Sequence, residues 1–155
     1  MDEEVEGQLA DKARILADAI EAAIGPWLIG AVRRVGAAQQ LPDGDRLILA
    51  AEAAAERARA AVMPRIRDLL ARDIDEQDTT PLALLREAVG PATAVLRDLG
   101  ATPVDRDEFA ARAFPADVYD LTPAAFEDVA PELATPGLEW GAAKAYVHLR
   151  RRARR

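Results

Sequence analysis

The 155-residue chain is predicted to be all-α, a single-domain helical bundle of five to seven helices. Apolar residues recur at three- and four-residue steps along most of its length, the period of an amphipathic helix. Alanine, the strongest helix former, is the commonest residue. No stretch alternates polar and β-branched residues over a useful length, so nothing reads as a strand. A chain of this size supports one core and is too short for two ordinary domains. The expected organisation is one helical domain over residues 1–149 and a basic tail or frayed helix end over 150–155.

The first helix is expected from Asp2 to about Ile24, with Val5, Leu9, Ala13, Leu16, Ile20, Ile24 and Trp27 on one stripe. Asp2, Glu3, Glu4 and Glu6 sit in its first turns, where the helix dipole favours negative charge. Gly25-Pro26 predicts a kink or fresh start, because proline removes a donor and crowds the preceding turn. Leu28, Val32 and Val35 then continue the apolar face to Gly36. Leu41-Pro42-Asp43-Gly44-Asp45 has turn composition. An alanine-rich helix follows from about Asp45 to Arg72, bent at Pro64, with Leu47, Ala51, Ala55, Ala58, Val62, Ile66 and Leu69 as its buried stripe. Such small side chains admit close approach, so this helix is expected to pair with the first as an antiparallel hairpin.

After an acidic loop at 73–78, Thr79-Thr80-Pro81 is a helix start, with threonine as cap and proline in the first turn. Leu82, Leu85, Val89, Ala92, Leu96 and Leu99 mark the seam of that helix, interrupted at Gly90-Pro91. Asp105 and Glu108 suit a capping box, with Val104 and Phe109 as its staple. Thr122-Pro123 predicts a short helix stapled by Leu121 and Phe126, with Pro115 and Pro131 closing these two segments. Thr135-Pro136 opens the last helix, which runs toward the basic terminus. Phe109, Phe114, Tyr119, Phe126, Trp140 and Tyr146 crowd the final third, which is expected to clamp onto the alanine-rich hairpin.

Missing residue types exclude much chemistry. Serine, asparagine and cysteine do not occur, and His148 is the single histidine. Serine and cysteine hydrolases therefore lack a nucleophile, and cysteine-based zinc sites and disulfides cannot form. A di-iron bundle needs two Glu-x-x-His pairs, and Ala145 stands three residues before His148. No glycine-rich dinucleotide or phosphate loop is present. Read as a calcium loop starting at Asp73, the acidic segment puts Asp78 where glycine is required and Leu84 where a bidentate glutamate is required. No cofactor and no metal is expected. The scarcity of lysine beside arginine, with lysines only at Lys12 and Lys144, fits a GC-rich bacterial genome.

Charge is unevenly spread. Arg150, Arg151, Arg152, Arg154 and Arg155 carry five positive charges, so the preceding residues sum to −12 against −7 for the whole chain. An acidic body discourages nucleic-acid binding, whereas the terminus alone favours it. Met1-Asp2-Glu3-Glu4 is acidic where a secretory signal would be basic. The longest unbroken apolar run, Ala22 to Val32, is 11 residues, about half of what a spanning helix needs. A cytoplasmic protein without membrane partners is expected.

On the last helix Lys144, His148, Arg151 and Arg155 share a ridge. They read either as a cationic face for phosphate or an acidic partner, or as cations suiting a helix C-terminus. Trp140 reads as core or as a partner contact. Glu52 and Glu56 could be paired carboxylates, but Arg59 makes a surface ion pair with Glu56 the simpler expectation.

Three segments, Arg106–Phe109, Phe114–Pro123 and Gly137–Ala145, resemble a small uncharacterised actinobacterial family of all-helical proteins, over roughly the C-terminal half. The resemblance implies no activity. It implies that a shared role would be sought at Asp117, Tyr119, Asp120, Trp140 and Lys144. Three functional readings follow. The first is a non-enzymatic helical module binding another macromolecule, a protein partner, through its C-terminal region. The second is nucleic-acid or ribosome association through Arg150–Arg155. The third is a small-molecule binder or enzyme with Asp117, Tyr119, Asp120 and Lys144 in a cleft. A homodimer through the alanine-rich helices is compatible with any of them.

Overall fold

The computed structural model describes residues 2–42, 44–72, 80–103 and 117–154, and every regular element among them is helical. In chain order these are α1 (Asp2–Ala38), α2 (Asp45–Arg72), α3 (Thr80–Glu87) and α4 (Gly90–Asp98). Two 3₁₀ turns, Phe126–Asp128 and Pro131–Leu133, then lead into α5 (Ala134–Ala153). The acidic loop, Thr79, the Asp105–Glu108 capping box with its Val104 and Phe109 staple, Phe114 and Pro115 lie outside the described residues.

The kink or fresh start expected at Gly25-Pro26 does not end the helix: α1 runs unbroken through Pro26 to Ala38. Two features tolerate the proline. Pro26 and Ala22, whose carbonyl loses its donor, are both solvent-exposed, so water can satisfy the freed group. On the opposite side Leu16, Ile20, Ile24, Leu28 and Val32 are fully buried as one continuous stripe. Burying such side chains is worth about 1.5–3 kcal/mol each, enough together to outweigh a proline penalty of roughly 3 kcal/mol.

That stripe packs against Leu47, Ala51, Ala55, Ala58, Val62 and Ile66 of α2. Gly36 of α1 faces Leu47, and Glu21 of α1 meets Arg59 and Arg67 of α2, so the two helices run antiparallel. The α2 stripe ends one residue away from expectation: Leu70 is buried and Leu69 only half-buried, with Ala54 and Met63 added. Pro64, like Pro26, stands on the exposed side.

Past Ala38, Gln40 takes a left-handed conformation (φ 57°). The Leu41 amide donates to the Gly36 carbonyl at 2.8 Å and the Gln40 amide to that of Ala37 at 3.2 Å, closing a Schellman motif. The end of α4 repeats it: Gly100 has φ 83°, and the amides of Ala101 and Gly100 donate to Leu96 and Arg97.

Helices α3 and α4 pack on α2, and α4 also reaches α1. Gln39 ties the hairpin turn to residue 102, its amide donating to the Thr102 carbonyl at 2.7 Å and accepting from the Thr102 amide at 2.6 Å. The short helix expected at Thr122-Pro123 is instead the 3₁₀ turn Phe126–Asp128. The Asp128 carboxylate accepts from the amides of Ala124 at 2.8 Å and Ala125 at 3.0 Å, which sets the start of the turn later. Pro131 opens the second turn rather than closing the segment, and α5 begins at Ala134, ahead of Thr135-Pro136.

Helix α5 lies antiparallel along α1, with Glu139 beside Lys12 and Arg151 beside Glu6. Arg150, Arg151 and Arg152 are part of its last turn, so the basic segment is helical as far as Ala153. By length and composition α1 is long and apolar enough to cross a membrane, with an 18-residue window of mean hydropathy 1.6, of which 39% is buried against the rest of the chain. Counting only unbroken apolar residues misses this window.

Candidate interaction surface

The acidic and aromatic residues singled out in the sequence separate into a packed loop and a helix face. Asp117 is buried, and its Oδ2 accepts from the Thr122 amide at 2.5 Å. Tyr119 is buried too, its hydroxyl donating to the Ala101 carbonyl at 2.9 Å. Asp117 thus braces the loop internally, and Tyr119 ties it to the segment just past α4. Asp120 is exposed, in the left-handed region at φ 59°, and lines an open cavity of about 160 Å³ with Thr122 and Asp128. Asp117, Tyr119 and Lys144 do not line that cavity. Among the described residues no cluster of three or more histidines or acids is placed to hold a metal ion.

On α5, Trp140, Lys144 and Val147 form the buried side, continued by Leu133 at the end of the preceding 3₁₀ turn. Lys144 is only 3% exposed and sits 4.2 Å from the centre of the Trp140 ring, a cation–π contact. The shared ridge of Lys144, His148 and Arg151 is therefore not an open cationic face. Lys144 is inside, His148 is half-buried, and the Arg151 guanidinium donates to Glu6 at 2.5 Å. Arg155 lies outside the described residues.

The opposite side of α5 carries a second apolar face that the sequence reading missed. Of the five large apolar side chains left exposed among the described residues, three stand on this one helix: Leu138 (75%), Tyr146 (51%) and Leu149 (62%). At about 100° per residue, positions 138, 142, 146, 149 and 153 fall within one narrow arc. Their spacing is the available signal, with the arginines interleaved at 150–152 masking it.

This face borders two concavities. Between α5 and α1 runs a groove of about 310 Å³, floored by Val5, Leu9, Ala142, Ala143 and Val147 and edged by Lys12, Glu139 and Tyr146. Past Val5 and Val147 it continues into a smaller hollow of about 60 Å³ walled by Glu6, Arg150, Arg151 and Arg154. At the other end of α5, Leu138 borders an apolar hollow with Phe126 and Leu133. There Gly137 lets the Phe126 ring approach closely: a β-carbon on it would stand 2.9 Å from the ring, which would have to shift. No protein-family model, curated protein or solved structure matches this chain. The functional reading therefore stands on these surfaces alone.

One charged network, joined through Glu21, has a structural role. Arg67 bridges Asp18 at 2.8 Å and Glu21, while Arg59 bridges Glu21 at 3.2 Å and Glu56 at 2.6 Å. The Arg67 hydrogen bond, with the charges of Arg67 and Arg59, holds the Glu21 carboxyl below the usual range against partial desolvation. The Arg59 hydrogen bond lowers Glu56 in the same way. These pairs lace α1 to α2 and lie away from the α5 face.

Proposed function

We propose that this chain is a non-enzymatic helical interaction module that binds another macromolecule through its C-terminal region. The observation that supports it is the second face of α5, where Leu138, Tyr146 and Leu149 remain exposed on a helix already packed through its other side. Contiguous exposed apolar surface of this kind marks an interaction site more often than chance. On this reading the chain as a whole is a bundle of five to seven helices in which the hairpin α1–α2 is the scaffold and α5 the contact element. Lys144 and Trp140 act from beneath, holding α5 against the rest of the fold, and Asp117 and Tyr119 hold the loop that leads into it.

The test is a capture experiment in native extract with the full chain and a Leu138→Asp/Leu149→Asp variant. Both side chains are exposed, so the fold should persist, which circular dichroism checks. Partners retained by the wild type and lost by the variant are expected; identical captured sets would overturn the reading.

A second reading, nucleic-acid association, draws on the exposed Arg150, Arg151 and Arg152 in the last turn of α5. It requires an affinity that falls steeply with salt and disappears when residues 150–155 are deleted. Affinity unchanged by the deletion would eliminate it.

A further inference from the structure

We propose that the α1–α5 groove seats an acidic amphipathic helix of a partner protein. This inference rests on the interaction reading above and adds the class of partner to it.

The first ground is shape. The groove lies between two antiparallel helices and has an apolar floor that includes Val5, Leu9 and Val147. A third helix laid along such a furrow can bury one face of its own, with anchors at i, i+3, i+4 and i+7. From Glu139 to Ala153 the rise is about 21 Å, which matches a partner segment of roughly four turns.

The second ground is charge. Among the described residues, six ionic side chains line the groove and its extension: Lys12, Arg150, Arg151 and Arg154 against Glu6 and Glu139. Both carboxylates are engaged within the chain, Glu6 by Arg151 and Glu139 by Lys12. Four cations against two carboxylates make the described lining formally cationic on a chain of net charge −7. Arg150 stands 5.9 Å from the centre of the exposed Tyr146 ring, so cation and apolar edge are adjacent. A helix with an acidic flank complements this arrangement and a basic one is repelled by it.

The same facts weigh against other occupants. A second copy in two-fold contact would bring the cationic rim against its own equivalent. Single-stranded nucleic acid would find one exposed aromatic for stacking and leave the apolar floor uncovered. A bilayer would cover the convex stripe of Leu138 and Leu149 but leave the furrow unfilled.

The experiment uses the full chain and two labelled 16-residue peptides with leucines at i, i+3, i+4, i+7 and i+11. One carries glutamates and the other lysines at the remaining positions, and anisotropy is followed at two salt concentrations. Binding of the acidic peptide at least tenfold tighter than the basic one, and weaker in high salt, is the expected result. Tyr146→Glu and, separately, Arg150→Glu should each reduce that affinity at least tenfold, while Leu49→Glu on exposed α2 surface leaves it unchanged. Arg150 is exposed, so its variant keeps the test decisive if Tyr146→Glu misfolds.

Four outcomes overturn the inference: equal or preferred binding of the basic peptide; acidic-peptide binding indifferent to both variants; no peptide binding; or self-association, RNA binding or anionic-vesicle binding that Tyr146→Glu abolishes while the peptide stays unbound. Should the inference fall while Leu138→Asp/Leu149→Asp still strips partners in the capture experiment, only the partner class is wrong. Identical capture by that variant removes the interaction reading itself.

Discussion

Gln40 and Gly100 occupy the same position in two copies of one helix-ending motif, and only one of them is glycine. A left-handed backbone costs an L-residue about 1–2 kcal/mol, whereas glycine adopts it freely at an entropic cost of roughly 0.5–1 kcal/mol. Gln40→Gly should therefore stabilise the protein by about 0.5–1 kcal/mol, and Gly100→Ala should destabilise it by about 1 kcal/mol. Urea denaturation of the two variants checks both signs at once, and a loss of stability in Gln40→Gly would contradict the account. At this scale the sequence was only partly legible. The turn at Leu41-Pro42 was plain from composition, but Gly36 drew the expected helix end toward itself because glycine is the usual stop. The actual reversal falls on Gln40, a residue with no such signature, while Gly36 stays helical against Leu47, its carbonyl accepting from the Leu41 amide. Lys144 illustrates a related limit: Trp140 stands one turn before it on the same helix, but a lysine suggests solvent, and only the docking of α5 turns this pair inward.

At the scale of elements, α1 shows a long-range packing term overriding a local breaker. If the buried stripe from Leu16 to Val32 carries the helix across Pro26, restoring the missing donor should add stability. Pro26→Ala is expected to gain about 2 kcal/mol, the removed penalty less the flexibility regained by the unfolded chain. No gain would mean that the proline shapes a bend on which the packing depends. The hairpin also has an ionic seam. Glu21 and Glu56 have lowered pKa values in the folded chain, so the unfolded chain binds more protons in acid and stability falls with pH. Their contribution is complete above the ordinary glutamate value of about 4.3 and disappears as pH drops through the depressed values. Glu21→Gln should show a shallower acid-side loss in thermal melts than the wild type, and the difference between them should narrow in high salt. An identical acid limb would show the seam to be inert. The hairpin itself was legible because α2 repeats small residues at helical spacing over many turns. The fine register was not: one step of drift exchanges Leu69 for Leu70, and both are leucine.

For the whole molecule, the all-helical class was readable from periodicity, whereas the position of the candidate surface was not. The stripe 138, 142, 146, 149 and 153 is visible in the sequence, but which of two faces of α5 turns inward depends on where α1 lies. Only the assembled fold distinguishes the buried Trp140–Lys144–Val147 side from the open Leu138–Tyr146–Leu149 side. The sandwiching of Lys144 has a practical consequence for chemistry in solution. The chain contains two lysines, and with one of them shielded by an indole, Lys12 is the accessible ε-amine. Mild acylation at a pH high enough to leave some ε-amine unprotonated also reaches the less basic α-amine, so peptide mapping is the proper readout. It should find acyl groups on the Lys12 peptide and essentially none on the Lys144 peptide until denaturant is added. A fluorophore attached in that way would sit on the lip of the furrow, giving a native chain with its own built-in reporter of occupancy.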